Sequence, residues 1–312
     1  MENDDNNNDS GTIKEVVIKD KSGNDFKMIE VDGVYLLPVG EEIVGNKPEV
    51  HFRKIKDFKI RDDDVMICAY PKAGTHWIWE VIQMLRTKST EYNKQIKEKQ
   101  MLEFGKLDEI DQEPSPRLLN SHLWPRHLPI EMFSKKTKII YLLRNPKDTI
   151  VSYFFHISAT DFSVEYYGTI GDFVDMSLYK NLPYGTWYDY VLEWEKFFET
   201  THNPFYHFTY EDMHENPIEH VKGLAKFLDL PASDELCKDI VEACNFKKLK
   251  KANEEIKDNF LKFEWKEGSS IYRKGKVGDW KNWLTVAESE RFDKVTEEKL
   301  KYSKVKSRYR YT

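Results

Sequence analysis

Cysteine is scarce in this chain. Only Cys68, Cys237 and Cys244 occur in 312 residues. An odd, sparse set argues against a disulfide framework and fits a reducing compartment. Long apolar runs are also missing, and no stretch approaches the roughly 20 residues of a membrane-spanning helix. The first residues, MENDDNNNDSG, have neither the basic start nor the apolar core of a secretory signal. A cytoplasmic, soluble protein is the expectation. There is no excess of positive charge: 48 basic against 54 acidic side chains give a net charge of −6. That balance supports neither nucleic-acid nor membrane-surface binding, although a basic pocket for a small anion is compatible with it. The nine histidines and three cysteines show no metal-ligand spacing, so no metal is expected. The Gly-x-x-x-x-Gly-Lys-Ser/Thr phosphate loop is absent as well, which speaks against a nucleotide or small-molecule kinase.

What remains is a globular composition in a chain long enough to bury a sizeable core. Residues 1–12 read as a disordered acidic tail. Residues 13–312 read as one domain, with no repeat and no clear linker. Residues 13 to 60 mix strand-like runs such as VVIKD and VYLLPV with turns. After that a rhythm begins. DVMICAY (64–70), RLLNSHL (117–123), TKIIYLLR (137–144) and NPFYHFTY (203–210) read as strands. HWIWEVIQMLR (76–86), NPKDTIVSYFFHI (145–157) and NPIEHVKGLAKFLDL (216–230) read as helices, the last two with proline in the first turn. Buried strands alternating with helices predict an α/β fold with a central parallel sheet covered on both faces. Residues 250–280 are charged, with weak periodicity, and read as a long functional loop.

YPKAGTHW (70–77) sits where a strand hands over to a helix. A helix N-terminus offers free N–H groups and the positive end of a dipole. Gly74 lets backbone approach a phosphate, Thr75 caps the helix or donates to the anion, and Lys72 adds a point charge. An ordinary turn with a surface lysine fits this segment alone equally well. Two further basic turns favour the anion site. Arg144 ends a strand and precedes a helix carrying Ser152, and Arg273, Lys274 and Gly275 lie in YRKGKVGDW. In a parallel sheet Lys72 and Arg144 share the C-terminal edge, where open α/β folds bind ligands.

Together YPKAGTHW, YLLRNPKDTIVSYF and RKGKVGDWKNWLTVAESERFD resemble the three signature segments of the cytosolic sulfotransferases. YGTWYDYVLEW (184–194) and FTYEDMHENP (208–217) are similar to further family segments. The resemblance runs from about residue 50 to the C-terminus. It implies a single α/β domain related to the nucleotide kinases. It also implies transfer of a sulfonate group from 3′-phosphoadenosine 5′-phosphosulfate (PAPS, leaving PAP) to the hydroxyl or amine of a small acceptor. By motif match, Lys72, Ala73, Gly74, Thr75, His76 and Trp77 would surround the 5′-phosphosulfate and adenine. Arg144 and Ser152 would hold the 3′-phosphate, and Arg273, Lys274 and Gly275 would close over it. Tyr210, Cys244, Phe246 and Tyr272 would complete the nucleotide site. His122 in NSHLW would be the general base, with Lys72 as its catalytic partner. His76 competes for the role of base, but its motif position is that of a phosphate contact. Three departures stand out: Asn120 where many members have a second active-site lysine, Ala73 where serine is common, and Cys244 where a Thr or Ser touches adenine.

The chemistry suits these residues. Sulfonate transfer, like phosphoryl transfer, needs in-line positioning and charge stabilisation. An alcohol needs a base, and histidine titrates near physiological pH. Aromatics in SYFFHIS (152–158) and FSVEYYGTIGDFVDM (162–176) are core packing for the most part, with a few lining an apolar acceptor pocket for a phenol, sterol or other alcohol. Residues 104–116 would gate it. Lys281, Thr285, Val286 and Glu290 match the short segment through which many family members form homodimers. Two alternatives stay open from sequence. One is a non-catalytic binder of the nucleotide or of a hydrophobic ligand. The other is a retinol-dehydratase-like enzyme, in which the sulfated alcohol eliminates.

Overall fold

The apolar run Val65–Ala69 becomes the central strand of a parallel sheet in the computed structural model, which describes residues 14–159, 166–180, 182–256 and 270–305. Seven strands are named here: β1 (Lys14–Lys19), β2 (Asp25–Val31), β3 (Val34–Leu36), β4 (Val65–Ala69), β5 (Leu118–Ser121), β6 (Lys138–Leu143) and β7 (Phe205–Thr209). The longer helices, numbered in order, are α1 (Thr75–Thr87), α2 (Pro146–Ser158), α3 (Ile170–Tyr179) and α4 (Trp187–Thr200). They continue with α5 (Pro217–Phe227), α6 (Asp234–Ala243), α7 (Phe246–Glu255) and α8 (Val286–Lys299).

The parallel sheet has the order β5-β4-β6-β7. Register pairs Ile67 with Asn120 and with Ile140, and Leu143 with Thr209. Both faces are buried, so alternate residues of each strand enter different apolar clusters. Met66, Cys68, Leu119, Ile139 and Tyr141 pack with residues of α2, α3 and α4. Ile67, Ala69, Leu118, Ile140 and Leu142 pack with residues of α1, α5 and α6. The α/β fold with a central parallel sheet is therefore observed as expected. The amino-terminal strands form a separate antiparallel sheet, β1-β2-β3. Its inner residues Phe26 and Met28 join the first of those clusters.

One expectation from periodicity needs correction. The segment 246–255, partly read as loop, is a helix capped by Asn245, whose side chain accepts from the Lys248 N–H. Strand β2 falls in DFKMIEV, whose exposed and buried residues largely alternate. The acidic tail, residues 257–269 of the long charged segment, and residues 162–165 lie outside the described residues. Among the described residues no helix is long and apolar enough to cross a membrane, and no cluster of His, Cys, Asp or Glu could hold a metal. Lys281, Thr285, Val286 and Glu290 are all exposed, and Thr285 caps α8 in a capping box with Glu288.

Candidate active site

Each parallel strand delivers a site residue just beyond its C-terminal end. Lys72 follows β4, His122 follows β5, Arg144 follows β6 and Tyr210 follows β7. Because the strands are parallel, these residues gather at one edge of the sheet. They line a cavity of about 810 Å³. Gly74, Thr75, His76, Trp77, Ser152, Phe246, Tyr272, Arg273, Lys274 and Gly275 line it too. The three basic turns, far apart in sequence, thus meet. Two expected residues do not reach the cavity. Ala73 is buried in the cluster on the α1 face, and the Cys244 thiol points into that same core, 3.6 Å from the Met84 sulfur.

The loop after β4 has an unusual backbone. Lys72 adopts a left-handed conformation at φ +68°, and Gly74 sits at φ +109° as the N-cap of α1. Thr75, expected to cap the helix or donate to the anion, is the first helical residue, and the N-cap, Gly74, has no side chain to cap α1. The helix start is left open to an anion. The Trp77 N–H is already used, donating to the Gly74 carbonyl at 3.1 Å. A Cβ on residue 74 would lie 2.8 Å from Tyr210 Cδ2, so the glycine lets the loop lie flat on that ring.

Arg144 donates from Nη1 to the Lys72 carbonyl at 2.9 Å, and its guanidinium lies 4.3 Å over the Tyr210 ring. Arg273 donates from Nη2 to Asp279 at 2.7 Å and lies 4.6 Å over the Phe155 ring. Asp148 in turn accepts from the Gly278 and Trp280 N–H groups at 2.6 and 2.9 Å, tying this loop to α2. Arg144 Nε, Arg273 Nε and Arg273 Nη1 are buried with no partner among the described residues. Buried donors without acceptors are costly. Phosphate oxygens would satisfy them with the fork geometry that guanidinium favours. Trp77, Tyr210, Phe246 and Tyr272 supply flat apolar walls for a base. The residues therefore fit a doubly phosphorylated adenosine.

His122 is held at both ends. Its backbone N–H donates to Glu103 Oε1 at 2.5 Å, and Nδ1 donates to the Ala69 carbonyl at 2.7 Å. A carbonyl only accepts, so Nδ1 carries the proton and Nε2 is left as the acceptor. Burial, and then the charge of Lys97, push its pKa down to about 3. The imidazole is neutral at physiological pH. Burial pushes the Glu103 carboxyl up to about 7. Lys72 is pushed down to about 7 by burial first and by the Arg144 charge next. His76 is engaged elsewhere: its Nε2 lies 2.9 Å from Glu98 Oε1.

Lys97, Glu98 and Glu103 are site residues that sequence reasoning missed. Lys97 and Glu98 lie in KQIKEKQ, where charge density reads as a solvated surface. Only Glu103, an acid set in the apolar run MLEF, carried any signal. The cavity also has an apolar lining that includes Leu37, Phe104, Tyr153, Ile157 and Tyr184. Tyr166 and Phe173, from the aromatic segment, pack in the core.

Residues 62–304 match the family described as "Sulfotransferase domain". Among curated relatives, Sulfotransferase 1E1 of Bos taurus is 36% identical over 273 residues, covering 82% of this chain and 90% of the relative. The amine sulfotransferase of Oryctolagus cuniculus is 35% identical over 259 residues, covering 80% and 84%. Among solved structures, mouse sulfotransferase SULT7A1 complexed with PAP is 28% identical, with a TM-score of 0.69 over 88% of this chain and 95% of that one. Retinol dehydratase in complex with retinol and PAP shares the fold, with a TM-score of 0.73, 18% identity, and coverage of 93% and 92%. A match over most of the length, joined to three basic turns meeting at one sheet edge, makes this chain a member of the sulfotransferase family.

Proposed function

We propose that the protein transfers a sulfonate group from PAPS to the hydroxyl or amine of a small, largely apolar acceptor. One observation carries this reading: buried, unpartnered guanidinium N–H groups and a neutral histidine with a free Nε2 share one cavity. The mouse relative's complex with PAP supports the choice of nucleotide. When bound, the donor supplies an electrophilic sulfur and a phosphate leaving group.

The residues divide the work. Arg144, Ser152 and Arg273 hold the 3′-phosphate and thereby orient the donor, converting remote binding into alignment at sulfur. Lys72 and the open start of α1 face the 5′-phosphate, where negative charge grows as the old S–O bond breaks and its electron pair stays on the phosphate oxygen. His122 Nε2 takes the proton of the acceptor as the new O–S or N–S bond forms. Nothing is oxidised or reduced. The Ala69 carbonyl stabilises the imidazolium that results, since it accepts from Nδ1 in both protonation states. A base with a pKa near 3 is weak in the free protein; bound anionic groups would raise it toward the range useful for general base catalysis. The apolar wall around Phe104, Tyr153 and Tyr184 favours a hydrophobic acceptor.

The test is transfer of labelled sulfonate from PAPS to a panel of phenols, sterols, aliphatic alcohols and amines. Loss of the base in His122→Ala is expected to lower kcat about 10²–10⁴-fold while PAP still binds. Turnover in His122→Ala equal to wild type would remove the base assignment. Absence of transfer to every acceptor by a wild-type protein that binds PAP would remove the enzymatic reading.

A further inference from the structure

A lysine that neither the motifs nor the mechanism above uses lies almost wholly buried at the cavity wall. The Lys97 side chain is 2% exposed, and the residue lines the same cavity as Lys72 and His122. It sits at the start of the short helix Lys97–Gln100, and the chain just after that helix pairs with β5 through Met101 and the Leu102 N–H, which donates to the Asn120 carbonyl at 3.0 Å. Asn120 Oδ1 accepts from Lys97 Nζ at 3.1 Å, and Asn120 Nδ2 donates to the Lys97 carbonyl at 2.9 Å. Asn120 is itself 1% exposed and central in the register of β5. Glu98 Oε1 lies 3.2 Å from Lys97 Nζ and shares itself with His76.

An ammonium group is expensive to bury, and a carboxylate already engaged by a histidine compensates it only in part. The cavity wall carries Lys72, Lys97, Arg144 and Arg273 on the basic side, with Glu98 beside His76 and Lys97. With Lys274 and Glu254 also on the wall, the cavity still carries more basic than acidic side chains, an excess that an anion stabilises. The phosphate-facing cations are accounted for by the two phosphates. Lys97 is held instead at the His122 end: Asn120 lies two residues before that histidine, and Met101, next on the same segment, shares the cavity wall. Asn120 stands where the family resemblance leads one to expect a lysine. In this chain the asparagine supplies no charge but holds a lysine arriving from another segment.

The geometry points to Lys97 as the second cation of the active site, clamped by Asn120 so that its ammonium donates to the sulfonate oxygens during transfer. This rests on the sulfotransferase reading given above. Lys97 gives up no proton in the step; the acceptor's proton goes to His122, and Lys97 balances charge on the moving group. Asn120 is a positioning residue. It contacts Lys97 at both ends, so its loss acts through Lys97.

The test compares wild type with Lys97→Gln, which keeps an N–H for Asn120 but removes the charge, and with the double variant Lys97→Met/Asn120→Lys, which moves the ammonium onto β5. Calorimetric titration with PAP and with PAPS, without acceptor, separates the sulfonate contact from the phosphate contacts. Lys97→Gln is expected to weaken PAPS about tenfold and PAP by less than about twofold, with recovery in the double variant. Single-turnover transfer to an acceptor that wild type uses should slow about 100-fold in Lys97→Gln and recover to within about tenfold in the double variant. Equal losses for PAP and PAPS, or no loss for either, would overturn the assignment and leave Lys97 as a strut for its short helix. If Lys97→Gln does not fold, two double variants decide: PAPS binding selectively weaker than PAP binding in Lys97→Met/Asn120→Gln but not in Lys97→Met/Asn120→Lys supports the proposal, and equal PAPS affinity in the two variants overturns it. A wild type that binds both nucleotides but sulfonates nothing refutes the enzymatic reading, while the PAPS-to-PAP ratio still judges Lys97.

Discussion

Replacing Gly74 by alanine adds one methyl group at the tightest point of the site. The backbone there has φ +109°, a region that L side chains rarely enter. Forcing a residue into such a conformation costs of order 1–3 kcal/mol. The new Cβ would also stand 2.8 Å from Tyr210 Cδ2 and 3.2 Å from Cε2. Ordinary carbon contacts begin near 3.5 Å, so the ring has to retreat by about 0.7 Å. It has little room. Trp77 lies 5.6 Å from it between centroids, His214 4.6 Å, and the Arg144 guanidinium 4.3 Å over its face. Overpacking of this kind typically costs another ~1–3 kcal/mol. Gly74→Ala is therefore expected to lose about 2–6 kcal/mol of stability in urea denaturation, summing the two effects. PAP affinity by calorimetry should fall at least about tenfold, because Arg144 and Trp77 move with the ring. A double-mutant cycle with Tyr210→Ala isolates the clash. In the absence of the ring the alanine keeps only its backbone cost, so it should destabilise by about 1–3 kcal/mol less than in wild type. An equal cost of Gly74→Ala in both backgrounds, or an unchanged PAP affinity, would refute the reasoning.

Two other consequences follow from the charges. In the free protein Lys72 titrates near pH 7, because burial and Arg144 disfavour its charged form. Anion binding favours that form, so PAP affinity should weaken as pH rises from 7 to 9, and binding at pH 8 should take up close to one proton, read from titrations in buffers of different ionisation enthalpy. Lys72→Ala should bind PAP more weakly at pH 7 and lack this proton uptake; uptake persisting in the variant would assign it elsewhere. Arg144→Lys and Arg273→Lys keep the charge but lose the fork, and each should weaken PAP roughly tenfold in the same assay, whereas wild-type affinity in either would mean that charge alone is read there.

Local signals carried a large part of this protein. Continuous apolar strands, helices opened by proline, and basic residues at strand ends are encoded within a few neighbouring positions. Each is set by backbone sterics, hydrogen bonding and period, which a short window reveals. The parallel sheet and the placement of Lys72 and Arg144 at its C-terminal edge were legible in that way, whereas His122, expected within a strand, lies just past the end of β5. The order β5-β4-β6-β7 was not, because it depends on which buried faces complement one another across the chain.

The finer site was decided by tertiary structure alone. Ala73, in the loop before α1, and Cys244, just past the end of α6, turn into the core between these helices and the sheet. Glu103 and the Ala69 carbonyl fix the tautomer and place of His122 from segments 19 and 53 residues away. Lys97 and Glu98 are the plainest case. In sequence they are two charges among many, and lysine and glutamate are nearly always solvated. Lys97 is buried and Glu98 partly so because Asn120, from β5, and His76, from α1, meet this pair and satisfy it. A buried ion is stable through its partners, and here Asn120 and His76 are neighbours in space rather than along the chain.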